Sequence, residues 1–264
     1  MKDIKTYVQE RKAIIKNKVS ELEKKPSFAI IQVGNVEASN RYVRNKIKDC
    51  EEVGIKTELI KLPETATTSD IISQIQSFNM SDITAYMIQL PLPSYIDIDT
   101  IKECIDPNKD ADGFTDDTYV KPCTPMGIIN FLERNDYNFE DKNALVIGRS
   151  NIVGKPMAHL LLERNANVTV LHSHTSCQSL CAHLNTADLV ICATGKIATV
   201  RKEYLTGLPT RHQIVFDVGI NFDENGKLIG DCDRNLPVQW QSPVPGGVGL
   251  LTRLQLLENI LQLY

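Results

Sequence analysis

ALVIGRSNIVGKPMAHLLLER, residues 144–164, decides the fold. The apolar run Ala144–Ile147 has the length of a strand, and Gly148-Arg149-Ser150-Asn151-Ile152-Val153-Gly154-Lys155-Pro156 turns it into a helix from about Val153 to Arg164. A strand buried on both faces of a parallel sheet reads as such a run, and the helix after it carries the chain back over the sheet. A strand, a glycine turn and a helix N-terminus also make an anion site, because free N–H groups and the helix dipole favour phosphate. The spacing is not GxGxxG: Ser150 stands in place of the second glycine, and the next is Gly154. Taken alone, the stretch fits a tight turn with no ligand equally well.

Outward from this stretch the alternation continues. Strands are predicted at Val168–Leu171, Leu189–Ala193 and Ile214–Val218, with a helix at Cys177–Leu184 and a closing amphipathic helix at Leu250–Leu263. Toward the N-terminus, Met1–Lys24 reads as an opening helix and Phe28–Val33 as a buried strand. Ala38–Val53 reads as a helix capped by Ser39 and stopped by Gly54, followed by a strand at Lys56–Leu62, a helix at Ser69–Phe78 and a strand at Ile83–Gln89. Leu90–Val120, rich in Pro, Asp and Gly, reads as loops around one short helix, and Thr124–Arg134 as a connecting helix. The expectation is α/β: two domains with mostly parallel sheets flanked by helices, the second Rossmann-like, and a cleft between them.

Composition narrows the function. Of the 264 residues 42% are hydrophobic and 23% charged, ordinary for a globular protein. The longest apolar runs are strand-sized, so no membrane span is expected. A net charge of −4 gives no global attraction for nucleic acid or acidic membranes. Seven cysteines, an odd number without CxxC, argue against a disulfide scaffold and for a reducing, cytoplasmic setting.

The strand after the glycine turn ends Leu171-His172-Ser173-His174-Thr175. NAD sites usually place a carboxylate there for the ribose 2′-hydroxyl. A hydroxyl and two imidazoles, with Arg149 nearby, suit a 2′-phosphate, so NADP is the expected cofactor. His172, His174, Cys177, Cys181 and His183 also raise zinc, but their spacing matches no standard pattern.

In the first half, Tyr42 and Lys46 are one helical turn apart and share a face. A desolvated lysine can act as a base at neutral pH; spacing alone favours a packing tyrosine and a snorkelling lysine. Gln89-Leu90-Pro91-Leu92-Pro93 ends a strand, because two prolines cannot extend a central ladder, and should leave the Gln89 amide facing the cleft. Lys109-Asp110-Ala111-Asp112-Gly113-Phe114 puts two carboxylates in one loop, fit either for an amino-pyrimidine or for solvent. Pro243-Val244-Pro245-Gly246-Gly247-Val248-Gly249 lets backbone approach a ligand closely, or is only a link to the last helix.

Together and in this order, ASNRYVRNK (38–46), QLPLP (89–93), KDADGF (109–114), PCTPMGI (122–128), GRSNIVGKP (148–156), HSHT (172–175), DVGIN (217–221) and PVPGGVG (243–249) resemble the bifunctional methylenetetrahydrofolate dehydrogenase/methenyltetrahydrofolate cyclohydrolase family. The resemblance implies oxidation of 5,10-methylenetetrahydrofolate with NADP+, then hydrolysis of the methenyl product to 10-formyltetrahydrofolate. It implies Lys46 as the base, Tyr42 positioning the folate ring, Gln89 tuning Lys46, and Asp112 holding the pterin edge. Leu90, Pro91, Pro245, Gly246 and Gly247 would complete the folate site, and Gly148, Arg149, Ser150 and Ser173 would bind NADP. It further implies a homodimer, with no metal, a folate-binding catalytic domain of residues 1–122 plus 250–264 and a nucleotide domain of residues 123–249.

Two departures stand out. Only TDDTYVK separates Phe114 from Pro122, where the family usually has a longer segment with an HPxNxG pattern. The family's GVGPMT reads Gly247-Val248-Gly249-Leu250-Leu251-Thr252 here. The shortened segment motivates one rival, a monofunctional dehydrogenase; a non-catalytic folate or nucleotide sensor is another.

Overall fold

Six successive buried residues, Phe28–Val33, make most of strand β1 (Ser27–Val33), the centre of a parallel sheet in the N-terminal half. A computed structural model describes residues 1–205 and 212–264. Strand β1 follows helix α1 (Ile4–Glu21) and lies between β2 (Lys56–Leu62) and β3 (Ala85–Ile88). β2 is an edge strand whose sequence, KTELIKL, carries charges that discourage pairing with another chain. The outer edge of β3 is covered instead. Tyr86 N–H donates to the Lys109 carbonyl at 2.8 Å, and Ala111 N–H donates to the Tyr86 carbonyl at 3.1 Å, so residues 109–111 lie alongside as a parallel bridge.

Helix α2 (Glu37–Val53) joins β1 to β2. Its cap is Val36, without a side-chain hydrogen bond, so the expected Ser39 cap is wrong. The acidic Glu37 occupies the first turn, where a carboxylate complements the helix dipole, and the helix begins before Ser39. Gly54 does stop it: at φ 88° its N–H reaches the Cys50 and Glu51 carbonyls, a conformation open to glycine. Helix α3 (Thr68–Met80) opens with a capping box between Thr67 and Asp70, and α4 (Ile98–Cys104) is the short helix of the loop-rich stretch.

The second sheet follows helix α5 (Cys123–Glu133). It holds β4 (Asn143–Ile147), β5 (Asn167–Leu171), β6 (Leu189–Cys192) and β7 (Ile214–Asp217), with helices α6 (Gly154–Leu162) and α7 (Cys177–Leu184) in the first two crossovers. A hairpin of β8 (Asn221–Phe222) and β9 (Leu228–Ile229) precedes β10 (Trp240–Gln241) and the closing helix α8 (Val248–Gln262). The order β10-β7-β6-β4-β5 is parallel throughout. The chain leaves β4 for β5 on one side and reaches β6 on the other, so the switch point lies between β4 and β6, where open α/β sheets bind ligands.

Two compact units result. One comprises Gln9–Cys123 with Arg253–Tyr264; the other comprises Met1–Val8 with Thr124–Thr252. In the second, the fully buried Phe131 ring packs on Tyr7, Phe216 and Trp240, with centroids 5.2, 6.1 and 5.9 Å away. Truncating it to Phe131→Ala is expected to cost about 3–5 kcal/mol, because such a site cannot collapse fully. Urea unfolding followed by circular dichroism measures this, and an unchanged midpoint would show that the aromatic cluster does not support the fold.

Candidate active site

Parallel pairing brings the candidate site residues of the first unit to one end of its sheet. Gln89 N–H donates to the Ile31 carbonyl at 2.8 Å, which extends β3 by one residue and puts Gln89 at the carboxyl end of the ladder. Asp112 stands just past the bridge at 109–111, at that same end. Helix α2 supplies Tyr42 and Lys46.

Lys46 is buried, at 5% exposure. Its Nζ donates to Gln89 Oε1 at 3.1 Å and to Met87 Sδ at 3.2 Å, and it lies 5.7 Å from the centre of the Tyr42 ring. The Gln89 amide is oriented from its other side, with Nε2 donating to the Leu90 carbonyl at 2.6 Å. Lys46 forms no ion pair among the described residues; its partners are a neutral amide and a thioether. Burial raises the Tyr42 phenol above its ordinary value, the Arg253 cation opposes that shift, and the Asp112 carboxylate adds to it.

The two carboxylates of the KDADGF loop have separate tasks. Asp110 is buried, and its Oδ2 accepts from Phe114 N–H at 2.7 Å, Thr115 N–H at 2.8 Å and the Thr115 hydroxyl at 3.0 Å. Burial pushes its carboxyl up against those bonds, and its role is to fold the loop. Asp112 is only half-buried. Its neighbour Cys123 is buried, and burial with the adjoining Asp112 charge holds that thiol well above its usual range.

Sequence reasoning missed the residue that ties this loop down. Asn259 of α8 is fully buried, and its Nδ2 donates to the Ala111 carbonyl at 2.9 Å, the Lys121 carbonyl at 3.1 Å and Cys123 Sγ at 3.4 Å. It therefore clamps both ends of the shortened segment. Gly113, at φ 67°, completes the closure, since a Cβ there would strike the Pro122 backbone. Only the position of Asn259 on the buried face of a closing helix hinted at such a role.

In the second unit the turn after β4 packs backbone on backbone. A Cβ at Gly148 would collide with the Ala193 carbonyl oxygen after β6, and one at Gly154 with the Gly148 carbonyl oxygen. Gly148 sits at φ 120°. The Ser150 hydroxyl accepts from Val153 N–H at 3.2 Å and Gly154 N–H at 3.4 Å, at the entrance to α6. Arg149 and Ser173 are exposed, and β5 ends without a carboxylate. This donor set fits an NAD(P) pyrophosphate at the switch point and a 2′-phosphate beside the second strand. Pro245, Gly246 and Gly247 belong to this unit too, after a cis Val244–Pro245 peptide; Leu90 and Pro91, joined by a cis peptide, belong to the first.

A pair of buried aspartates shapes the loops beyond β6 and β7. Asp231 Oδ2 accepts from Thr194 N–H at 2.7 Å and Gly195 N–H at 2.9 Å. Asp217 accepts from Gly219, Asp231 and Cys232 N–H groups at 2.8–3.0 Å. Gly219 and Gly230 leave room for them, since a Cβ at either would meet the carboxylate of Asp231 or Asp217. His183 Nδ1 is engaged with the Ser179 carbonyl at 2.8 Å, and no three His, Cys, Asp or Glu side chains among the described residues are grouped for a metal.

A nucleotide turn in one unit and a buried amine in the other define a nicotinamide-dependent α/β enzyme. Comparison with known proteins is specific about which. Residues 2–112 match the tetrahydrofolate dehydrogenase/cyclohydrolase catalytic domain, and residues 122–264 match the NAD(P)-binding domain of the same family. The bifunctional protein FolD of Ruthia magnifica subsp. Calyptogena magnifica is 40% identical, with 99% of this chain and 97% of that protein aligned. The crystal structure of bifunctional FolD from Campylobacter jejuni superposes with a TM-score of 0.91 at 36% identity, covering 99% of this chain and 96% of that one. The Trypanosoma brucei methylenetetrahydrofolate dehydrogenase-cyclohydrolase, solved with NADP and an inhibitor, gives 0.92 at 28% identity, covering 100% and 96%. This chain belongs to the tetrahydrofolate dehydrogenase/cyclohydrolase family.

The burial pattern makes thiol labelling a test of the site. Cys177 is exposed, Cys104 and Cys181 are half-buried, and Cys50, Cys123, Cys192 and Cys232 are buried, with Cys50 pushed up to about 12 by desolvation. At mildly alkaline pH, Cys177 is expected to react first and the buried four only as fast as the protein opens. Rapid labelling of Cys123 in the native protein would show that the Asp112 loop is not clamped.

Proposed function

We propose that this chain oxidises 5,10-methylenetetrahydrofolate and then hydrolyses the methenyl product to 10-formyltetrahydrofolate, with Lys46 as the base. NADP+, when bound, accepts the hydride that leaves the methylene carbon. The observation that carries the reading is the buried Lys46 amine, fixed by Gln89 Oε1 and free of ion pairs among the described residues.

The folate site is assigned to the first unit. Tyr42 positions the ring system, and Asp112 accepts from the amide and amine edge of the pterin. Leu90 and Pro91 line the approach. The methenyl carbon is cationic, so a neighbouring neutral group is favoured over a second cation. Lys46 takes a proton from the attacking water as oxygen bonds to the methenyl carbon. The adduct's hydroxyl then releases its proton to solvent as the carbonyl forms, the carbon–N5 bond breaks with its electron pair on N5, N5 takes the proton held by Lys46, and the formyl group stays on N10. Gln89 aims the amine through its Oε1. Gly148, Arg149, Ser150 and Ser173 would hold NADP, Arg149 facing the 2′-phosphate.

The full reading is a homodimer working in the cytoplasm on one-carbon tetrahydrofolates, without nucleic-acid partners. Seven free cysteines suit that reducing compartment, and the net charge of −4 offers nothing to nucleic acid. A dehydrogenase lacking the second step is the rival that the shortened segment, residues 115–121, motivates.

An absorbance time course with 5,10-methylenetetrahydrofolate separates these readings, following NADPH and methenyltetrahydrofolate independently. NADPH with little methenyl accumulation is expected. Methenyl that builds up and decays at the buffer rate would mean a dehydrogenase alone, and no cofactor reduction would leave a binding protein. Lys46→Ala is expected to slow hydrolysis by about 10²–10⁴-fold, the size of a general-base contribution, with far less effect on folate binding. Equal losses in both would make Lys46 a binding residue. Arg149→Ala is expected to weaken NADP much more than NAD; parallel losses would overturn the 2′-phosphate assignment.

A further inference from the structure

Arg253 lies on α8 at the first residue of the Arg253–Tyr264 segment that joins the first unit. Its Nε is 3.2 Å from Oδ2 of Asp49, a buried carboxylate one turn beyond Lys46 on α2. Asp49 Oδ1 is held in turn by Lys12 Nζ at 2.5 Å, and Lys12 is met from the solvent side by Glu52 at 2.8 Å. Asp49 is thus fixed by a second cation, and it fixes the guanidinium by one edge. The side chain of Arg253 is 17% exposed, walled in yet open to solvent. Its η nitrogens have no hydrogen-bond partner among the described residues, although a guanidinium offers five N–H donors in a planar fork. The Tyr42 hydroxyl is likewise without a hydrogen-bond partner among the described residues, and its phenol feels the Arg253 charge.

Tyr42 therefore feels two opposite charges: Asp112 raises its phenol and Arg253 lowers it. Asp49, which holds Arg253, lies two turns beyond Tyr42 on the same face of α2. A tetrahydrofolate has the complementary polarity: an amino-pyrimidine edge that donates hydrogen bonds at one end, and the carboxylates of a glutamyl tail at the other. A planar fork with unused donors is the group best matched to a carboxylate.

We propose that Arg253, with the Tyr42 hydroxyl, forms a carboxylate subsite for the glutamyl tail of the folate substrate. The inference rests on the folate reading above and deepens it. Asp49 is the positioning residue: by holding Nε it turns the two η nitrogens toward the tail. Lys12 acts through Asp49 and has no contact of its own with the substrate.

The test compares 5,10-methylene forms of tetrahydropteroate, which lacks a glutamyl group, tetrahydropteroylmonoglutamate and the pentaglutamate. The wild-type protein is expected to show a lower KM for the glutamyl forms than for the pteroate form, with that advantage shrinking as salt rises. Arg253→Gln, which keeps length but removes the charge, is expected to reduce the preference in kcat/KM for glutamyl over pteroate about tenfold. That is the scale of a charge-assisted hydrogen bond. The loss should appear in KM, and Arg253→Lys should restore part of it. A preference unchanged by Arg253→Gln, or a wild-type KM indifferent to the tail, overturns the subsite. If Arg253→Gln does not fold, the tail and salt dependence of the wild type decide the matter alone. Absence of turnover on all three substrates would instead defeat the folate reading, so the two failures are distinct.

Discussion

A buried amine with only neutral partners is the constraint around which the first unit is arranged. Lys46 Nζ meets Gln89 Oε1 and Met87 Sδ, and no carboxylate among the described residues neutralises it. Isolated buried charge is costly, so such an amine needs either a partner or a purpose. Both contacts come from β3 and its one-residue extension, so the position of this amine depends on strand pairing as much as on its own helix. The acids nearby are kept apart from it. Asp49 is taken by Lys12 and Arg253, and Asp110 by the backbone of its own loop.

Much of this was legible in the residues because it rests on patterns that read locally. FAIIQV, apolar but for Gln32, and ALVI are short buried runs, and both form inner parallel strands. Gly54 stops α2 because its φ of 88° is a glycine conformation, something the residue itself announces. The spacing of Tyr42 and Lys46 gave their common face, and the ordered motifs gave the family. What could not be read depends on partners distant in sequence. β8, β9 and β10 have two residues each, too few for any period to appear. The cap of α2 was misplaced because Ser39 is the better capping residue, yet the helix starts earlier, at Glu37. Asp110 and Asp112 look alike in KDADGF; only the backbone that curls around Asp110 separates structural acid from candidate binding acid. Asn259 reaches across 148 residues to Ala111, and no local pattern encodes that.

The two units solve their backbone problems differently. In the second, glycine brings main chain against main chain, at Gly148 over Ala193 and Gly154 over Gly148, and the switch-point turn has no space for a side chain. There Asp217 and Asp231 do by side chain what a longer strand would do by ladder, collecting N–H groups from loops beyond β6 and β7. In the first unit the loop bearing Asp112 is short, and a side chain from elsewhere closes it. Backbone N–H groups at the entrance to a helix, as in the second unit, suit a phosphate.

The discontinuity of the first unit also sets an order of events during synthesis. Translation makes residues 9–123 before Thr124–Thr252 and residues 253–264 after them, and chains emerge at about 5–20 residues per second. The second unit, apart from its few opening residues, lies between them in the chain. The nucleotide-binding half is therefore almost fully made before the other half receives Asn259 and Arg253. Until then the carbonyls of Ala111 and Lys121 lack their donor, and Lys46 on α2 exists without its finished surroundings. A ribosome stalled just before codon 253 would hold a chain whose second unit is made and whose first still lacks both of those side chains.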